Sequence, residues 1–394
     1  MKRLGIRSSL VLASSLAACQ LACGGSSAPS PSNAAGSGGT PSTIGSGGAS
    51  AGAPSAGAPT GGQANAGSAG SLGSGGSSGG AGGAGNDGTG GSGVAGSGGT
   101  TFGAIKCSPT GTGDGKHDLT TTASPPEWTL QNGATAGTVT AKASFVSASY
   151  TPGHFSYWVY TSSNYVKGSP AVFLMFGDGN QFLTDFHTAT VLDNLTATHD
   201  LPPTVALFVD PPSDGTNAPT ENDRKNAYDP PTDKYTTLLF NEILPAVIFD
   251  KYSISRDPDA WAVVGYSASG GQGWKVLWNR PNDIHKFVGI SSSFGAAIDY
   301  NKWDWVAVVT AAPAPARPLR VSLLASTKDL SDNRGDWLTI NTNMTTALAA
   351  KGDQTRFEVA QAACNTAQCG HYPPIDGERD FPNALRWTFQ GCKF

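Results

Sequence analysis

Hydrophobic patterning divides this chain sharply. From Gly24 to about Gly103 nearly every position is Gly, Ser, Ala, Thr or Pro, and no apolar period develops. Beyond that point apolar runs alternate with turn residues. Val139 to Ser147 and Phe155 to Thr161 alternate polar and apolar side chains, which predicts an antiparallel pair at a sheet edge. Ala171 to Phe176 and Val205 to Val209 are continuous apolar runs, as in strands covered on both faces. The first ends in Gly177-Asp178-Gly179-Asn180, and Asp210-Pro211-Pro212 is expected to stop the second. Thr232 to Phe249 reads as a helix with Leu238, Leu239, Ile243 and Leu244 on one face. Further strands are expected at Ala260–Val264, Lys286–Ile290, Leu319–Ala325 and Arg356–Val359. Helices are expected up to Trp278, from Trp337 to Ala349 and from Pro382 to Thr388. Buried strands alternating with helices predict an α/β domain, its sheet mainly parallel and helices on both faces.

The sharpest motif follows Ala260–Val264: Gly265-Tyr266-Ser267-Ala268-Ser269-Gly270-Gly271. A buried strand running into a small-x-Ser-x-small turn and then a helix describes a nucleophile elbow. Small residues are needed on either side because strand and helix backbones pass close together there. The same pattern describes an ordinary strand-to-helix turn, so partners matter. Asp329 lies just past the Leu319–Ala325 run, and His371 lies in the loop after Arg356–Val359. The chain order Ser267, Asp329, His371 is that of α/β-hydrolases and not of chymotrypsin or subtilisin. Asp332 and Asp336 stand close enough to compete with Asp329. All these residues fall at the carboxyl ends of strands, where parallel sheets place their ligand sites. Trp274 reads as packing its helix on the sheet. Trp303 and Trp305 either pack or offer an aromatic platform to a sugar or aryl group.

Composition adds an organisation around that domain. The chain has 394 residues, and all nine Trp lie after Phe102. The Gly/Ser/Ala/Pro-rich stretch has too little apolar surface to offset chain entropy and reads as a disordered tether. Lys2, Arg3 and Arg7 precede a short apolar run from Ser8 to Ala18, the form of a secretory signal. It ends in Leu16-Ala17-Ala18-Cys19, which resembles a bacterial lipobox, with Cys23 as a second candidate for lipidation. The expected organisation is therefore a lipoprotein signal over 1–18, a tether over 19–103 and an enzyme domain over 104–394. It implies a location in the bacterial cell envelope, outside the cytoplasm and anchored to a membrane by lipid at Cys19. A net charge of −4 without a basic stripe argues against nucleic-acid binding. Four cysteines remain, Cys107, Cys364, Cys369 and Cys392, and an exported chain permits them to pair. Of three connectivities, Cys364–Cys369 with Cys107–Cys392 is favoured, closing a small loop before His371 and tying the domain's start to its end. A zinc site is the competing reading, though the spacing lacks a second Cys-x₂-Cys element.

From about Tyr157 to Trp387 the chain resembles the enterochelin-esterase-like branch of the esterase D family of α/β-hydrolases. The likeness rests on Val172–Gly179 with its Phe-Gly-Asp-Gly end and on Asn226–Val247 with Tyr228-Asp229, Tyr235 and Glu242-Ile243-Leu244-Pro245. It also rests on the elbow with Trp278-x-Arg280-Pro281, on Asn341–Leu348 and on Pro382-Asn383-Ala384-Leu385-Arg386-Trp387. It implies an α/β-hydrolase fold and a cofactor-independent serine esterase acting on a small-molecule or carbohydrate-linked ester, siderophore esters included. Ser267 would be the nucleophile, His371 the base and Asp329 its orienting acid. The oxyanion would be held by N–H groups from Ala268 and from the Gly177-Asp178-Gly179 loop. The same triad also serves acyltransferases, and a hydrolase fold can be kept for binding alone. Two departures stand out. Ser269 replaces the family's usual glycine and so offers a second small-x-Ser-x-small match; a register anchored on Gly270-Gly271 would instead put Ala268 at the nucleophile position. The loop before His371 carries cysteines where the family often has a glycine-rich run.

Overall fold

The computed structural model describes residues 106–107, 113–120, 123–295, 304–314, 319–362, 366, 369–371 and 375–393. The segments 1–18 and 19–103, with Cys19 and Cys23, lie outside the described residues, as do Trp303 and Cys364.

In chain order the strands and helices begin with β1 (Lys106–Cys107), β2 (Gly115–Leu119), β3 (Thr138–Val139), β4 (Ala143–Val146), β5 (His154–Thr161) and β6 (Val172–Gly177). Then come α1 (Gly179–Thr184), α2 (Thr188–Ala197), β7 (Thr204–Ser213), α3 (Glu221–Tyr228), α4 (Lys234–Leu238), β8 (Trp261–Tyr266), α5 (Ala268–Asn279) and β9 (Lys286–Ile290). The chain closes with α6 (Trp305–Ala311), β10 (Arg320–Ser326), β11 (Ser331–Asp332), β12 (Gly335–Asp336), α7 (Trp337–Ala350), β13 (Gln354–Ala360), α8 (Ile375–Phe389) and β14 (Cys392–Lys393).

The main sheet has the order β2-β13-β10-β9-β8-β6-β7-β5-β3, with β4 also on β5. Every pairing from β2 to β7 is parallel, and β5 joins β7, β3 and β4 antiparallel. All residues of β8, β9 and β10 are buried. Because successive side chains in a strand point to opposite faces, both faces must be covered. Aromatic clusters do much of this: Phe176 stacks on Phe208 and joins Phe182, Phe186 and Phe381, while Trp274 packs on Phe287 and Phe294. Tyr266 and Leu324 both pair with Ile290. The carboxyl ends of β8, β9 and β10 are therefore level, and the residues that follow them gather at one end of the sheet.

The alternating stretch near residues 139–147 is two short strands, β3 and β4, separated by residues 140–142. Strand β7 runs on through Pro211 and Pro212, contrary to expectation. Both prolines lie past the last rung with β6, Gly177↔Val209, and the pairing with β5 shifts register between Phe155 and Tyr157. Proline is tolerated where a ladder is interrupted, because its missing N–H is not needed. The expected helix at 232–249 is α-helical only over Lys234–Leu238; Leu239–Ile243 and Pro245–Phe249 are wound in wider π turns. Pro245 has no N–H for the carbonyl four residues back and its ring crowds that carbonyl, which disfavours an α turn.

Candidate active site

Strand β8 leads directly into Ser267, whose φ of 57° and ψ of −124° lie outside the regions open to most L-residues. The corner is held by backbone bonds. Ser267 N–H donates to Ile290 O at 2.9 Å, and Ser267 O accepts N–H groups from Gly270 and Ser293 at 3.0 Å each. The glycines are steric necessities: a Cβ at Gly265 would lie 2.3 Å from Ser269 O, and one at Gly271 would lie 2.5 Å from Ser293 O. Helix α5 starts at Ala268, immediately after the corner.

The second serine of the motif faces elsewhere. Ser269 Oγ donates to Tyr266 O at 2.8 Å and accepts Tyr266 N–H at 3.1 Å, so its hydroxyl is folded back onto the end of β8. Ser267 alone stands at the strained corner with a histidine beside it. His371 Nε2 lies 3.1 Å from Ser267 Oγ, and His371 Nδ1 lies 2.6 Å from Asp329 Oδ1. An ionised carboxylate can only accept, so Nδ1 carries the proton and donates it to Asp329. Nε2 is then left with a lone pair toward the Ser267 hydroxyl. The imidazole is fully buried. Tyr266 Oη donates to its backbone carbonyl at 2.5 Å, and its ring sits 5.1 Å from those of both Tyr266 and Trp337.

Asp329 is fixed from several sides. Oδ1 also accepts Leu330 N–H at 2.8 Å, and Oδ2 accepts the Ser291 hydroxyl at 2.7 Å. The competing acids are otherwise engaged. Asp332 binds Arg334 and the Trp337 indole N–H, and Asp336 caps α7 by accepting Thr339 N–H.

The loop after β6 approaches from the other side. Asp178 has φ 52°, and its carboxylate is held by Arg224. Its N–H donates to Tyr228 Oη at 3.1 Å, so among the expected oxyanion donors this one is already engaged. Ala268 and Gly179 are the first residues of α5 and α1, where a backbone N–H has no partner within its own helix. Tyr228, Asp229, Ala268, Gly271, Ser293, Gly295 and Trp305 line a small crevice of about 20 Å³ beside the corner. Burial pushes the Asp229 carboxyl up, against the opposing pull of Arg334, Arg224 and Lys275. Burial also lowers Lys275 to about 8, and its ammonium donates to Tyr228 O at 3.1 Å and to Pro230 O.

Cys107 and Cys392 are bonded to each other, across the paired strands β1 and β14. Cys369 is disulfide-bonded too, and Cys364 lies outside the described residues. Among the described residues no group of three His, Cys, Asp or Glu side chains is placed to hold a metal ion. Among them, too, no helix is long and apolar enough to cross a membrane.

Neither a protein-family model nor a curated protein matches this sequence. Solved structures do match its shape. An enterobactin esterase from Shigella flexneri, solved in the presence of enterobactin, superposes with a TM-score of 0.51 at 15% identity, over 64% of this chain and 59% of that one. A ferulic acid esterase from the anaerobic fungus Anaeromyces mucronatus gives 0.53 at 15% identity, over 69% of this chain and 98% of that one. The fold is that of an α/β-hydrolase. The chain spans about three fifths of the length of the enterobactin esterase it matches.

Within this hydrolase fold, several contacts around Ser267 have no counterpart in the reading of the sequence. Arg224 and Tyr228 on α3, Tyr266 before the corner, and Ser291 after β9 each touch one of the expected site residues. One signal was available: Ser291-Ser292-Ser293 follows the strand next to β8, at the end of the sheet where ligand sites form.

Proposed function

We propose that this chain is a serine carboxylic-ester hydrolase working through an acyl-enzyme. The observation that carries the reading is the line Ser267 Oγ, His371 Nε2, His371 Nδ1, Asp329 Oδ1, with gaps of 3.1 and 2.6 Å, built on a strained strand-to-helix corner. His371 takes the Ser267 proton as Oγ attacks the ester carbonyl. Asp329 holds the tautomer and stabilises the imidazolium. Backbone N–H groups of Ala268 and Gly179 receive the oxyanion, each donor contributing about 3 kcal/mol. His371 then protonates the leaving alkoxide, and water repeats the sequence on the acyl-enzyme. No metal or cofactor enters these steps.

For substrate we propose siderophore or carbohydrate-linked esters; structures of the same fold are named as enterobactin and ferulic acid esterases. Trp305, Tyr228 and Asp229 line the crevice beside Ser267, though Tyr228 and Trp305 are buried, so a bulky acyl or alcohol group would have to sit over its mouth. A fluorophosphonate probe should label wild type and not Ser267→Ala, and a panel of p-nitrophenyl esters, feruloyl esters and acetylated xylan should reveal hydrolysis. Absence of both labelling and hydrolysis would leave a binding protein on a hydrolase fold. Acyl transfer to an added sugar in preference to water would make it an acyltransferase.

We further propose that the domain is held outside the cytoplasm by lipid on Cys19 and a Gly/Ser-rich tether over 19–103. Support comes from the Leu16-Ala17-Ala18-Cys19 sequence and from the Cys107–Cys392 bond, which suits an oxidising compartment. Cys19→Ser should abolish lipid labelling and release the protein from membranes. Lipidation lost only on Cys23→Ser would move the anchor, and soluble wild type would end the idea.

A further inference from the structure

Strand β9 is followed by Ser291-Ser292-Ser293, and this turn touches both halves of the proposed triad. Ser291 has φ 43°, a left-handed conformation that a serine adopts only under strain. Its N–H is pinned to Leu324 O at 2.7 Å on β10. Its buried hydroxyl donates to Asp329 Oδ2 at 2.7 Å. Two residues on, Ser293 N–H donates to the carbonyl of Ser267 at 3.0 Å. Between them Ser292 fills the space beside Gly270, where a Cβ would come within 2.3 Å of Ser292 Oγ, and its carbonyl accepts the Asn341 amide at 3.1 Å.

We infer that Ser291 is a positioning residue for the Asp329–His371 pair. This rests on the esterase reading. Asp329 Oδ1 serves His371 and Leu330 N–H, whereas the short bond to Oδ2 comes from Ser291; Ser326 N–H is more distant at 3.4 Å. Without the hydroxyl, a buried carboxylate oxygen loses its best donor, and the carboxylate gains freedom to turn away from Nδ1. The turn also links the acid to the nucleophile, because moving residue 291 moves the Ser293 N–H that braces Ser267. The left-handed backbone at 291 is what points the hydroxyl at Asp329.

The test pairs two variants. Ser291→Ala removes the hydroxyl and keeps the strain; Ser291→Gly removes both. In each, kcat should fall about 10- to 100-fold, the range typical of lost orienting contacts. KM should change by less than about twofold, since the residue is buried away from the crevice. The acidic limb of the kcat/KM profile should move, and the low-field proton NMR signal of the Asp329–His371 bond should shift or broaden. The Gly variant should melt no lower than the Ala variant. Wild-type kcat with an unmoved NMR signal in Ser291→Gly would overturn the inference. So would a fall in melting temperature alone, the mark of a purely structural role. If wild type neither labels nor hydrolyses esters, the esterase reading fails separately, and the NMR signal still decides whether Ser291 orients the pair.

Discussion

Arg224 grips Asp178 through two nitrogens, Nε at 3.0 Å from Oδ1 and Nη2 at 2.7 Å from Oδ2. One turn further along α3, Tyr228 Oη accepts the Asp178 N–H. Residues four apart share a helix face, so α3 clasps side chain and backbone of the same strained residue. The helix is itself anchored by a capping box between Thr220 and Asp223. In the loop proposed to present oxyanion donors, Asp178 is thus held from α3, while two residues on Asn180 N–H donates to Asp210 of β7.

Breaking that clasp should have a measurable signature. Arg224→Met leaves the Asp178 carboxylate buried without its cation, and stability should fall by about 3 kcal/mol. The Gly177–Gly179 loop should loosen, and if it holds the oxyanion as proposed, kcat should fall with it. Asp178→Asn in the same chain should restore part of the stability, because the unpaired charge is gone. A denaturant double-mutant cycle measures this, and strict additivity of the two substitutions would show that the pair is not coupled.

The two serines of the elbow should separate cleanly. Ser267→Ala should lower ester hydrolysis by several orders of magnitude with little change in melting temperature. Ser269→Ala should do the reverse, because it deprives Tyr266 of two buried hydrogen bonds. The stability loss should be about 1 to 3 kcal/mol. Activity lost at Ser269 and kept at Ser267 would invert the assignment.

Much of this was legible along the chain, for reasons that differ between residues. The strands β6, β8, β9 and β10 are buried on both faces, so they read as predominantly apolar runs, interrupted only by Lys286 in β9 and by Arg320, Ser322 and Ser326 in β10. The elbow reads because Gly265, Gly270 and Gly271 are forced by backbone contacts. Arg224 leaves no such trace and Ser291 only its place after β9: their partners lie 46 and 38 residues away, and side-chain hydrogen bonds between distant segments impose no period. Strand β2 is polar and almost fully exposed, so nothing in its composition marks it as a sheet edge. Helix α3 is also polar, and only its Thr-x-x-Asp start announces it.

Near the Gly177–Gly179 loop, Asp210 makes stability depend on pH. Burial first, with the Asp178 charge adding, pushes its carboxyl up to about 6 from an ordinary 3.8, against the opposing hydrogen bond from Asn180 N–H. The folded protein therefore binds this proton more tightly than the unfolded chain. Stability falls as pH rises from about 4 to about 6, by at most roughly 3 kcal/mol. Asp210→Asn keeps an acceptor for Asn180 and deletes the charge. It should melt higher than wild type at pH 7 and equal it below about pH 4, as read by thermal scans across that range. A variant less stable than wild type at pH 7 would show that the ionised carboxylate is favoured by groups other than Asn180.

The Cys107–Cys392 bond should matter for stability and hardly at all for chemistry. It joins residues 285 apart in sequence. Loop-closure entropy rises only logarithmically with that length and sets a ceiling of about 5 to 6 kcal/mol, and the measured loss should fall between about 2 kcal/mol and that ceiling. Its place in the sheet argues for the separation from function. Lys286, the first residue of β9, reaches Cys392 Sγ with its ammonium at 3.3 Å, whereas Ser291, just past the last residue of β9, reaches Asp329. The bridge and the proposed triad therefore lie at opposite ends of a five-residue strand, roughly 17 Å apart at 3.3 Å per residue. Cys107→Ser with Cys392→Ser should lower the denaturation midpoint while fluorophosphonate labelling of Ser267 at 25 °C proceeds at the wild-type rate. Labelling that slowed as much as stability fell would mean that the bridge sets the geometry of the corner, and the two ends of the sheet would have to be treated as one unit.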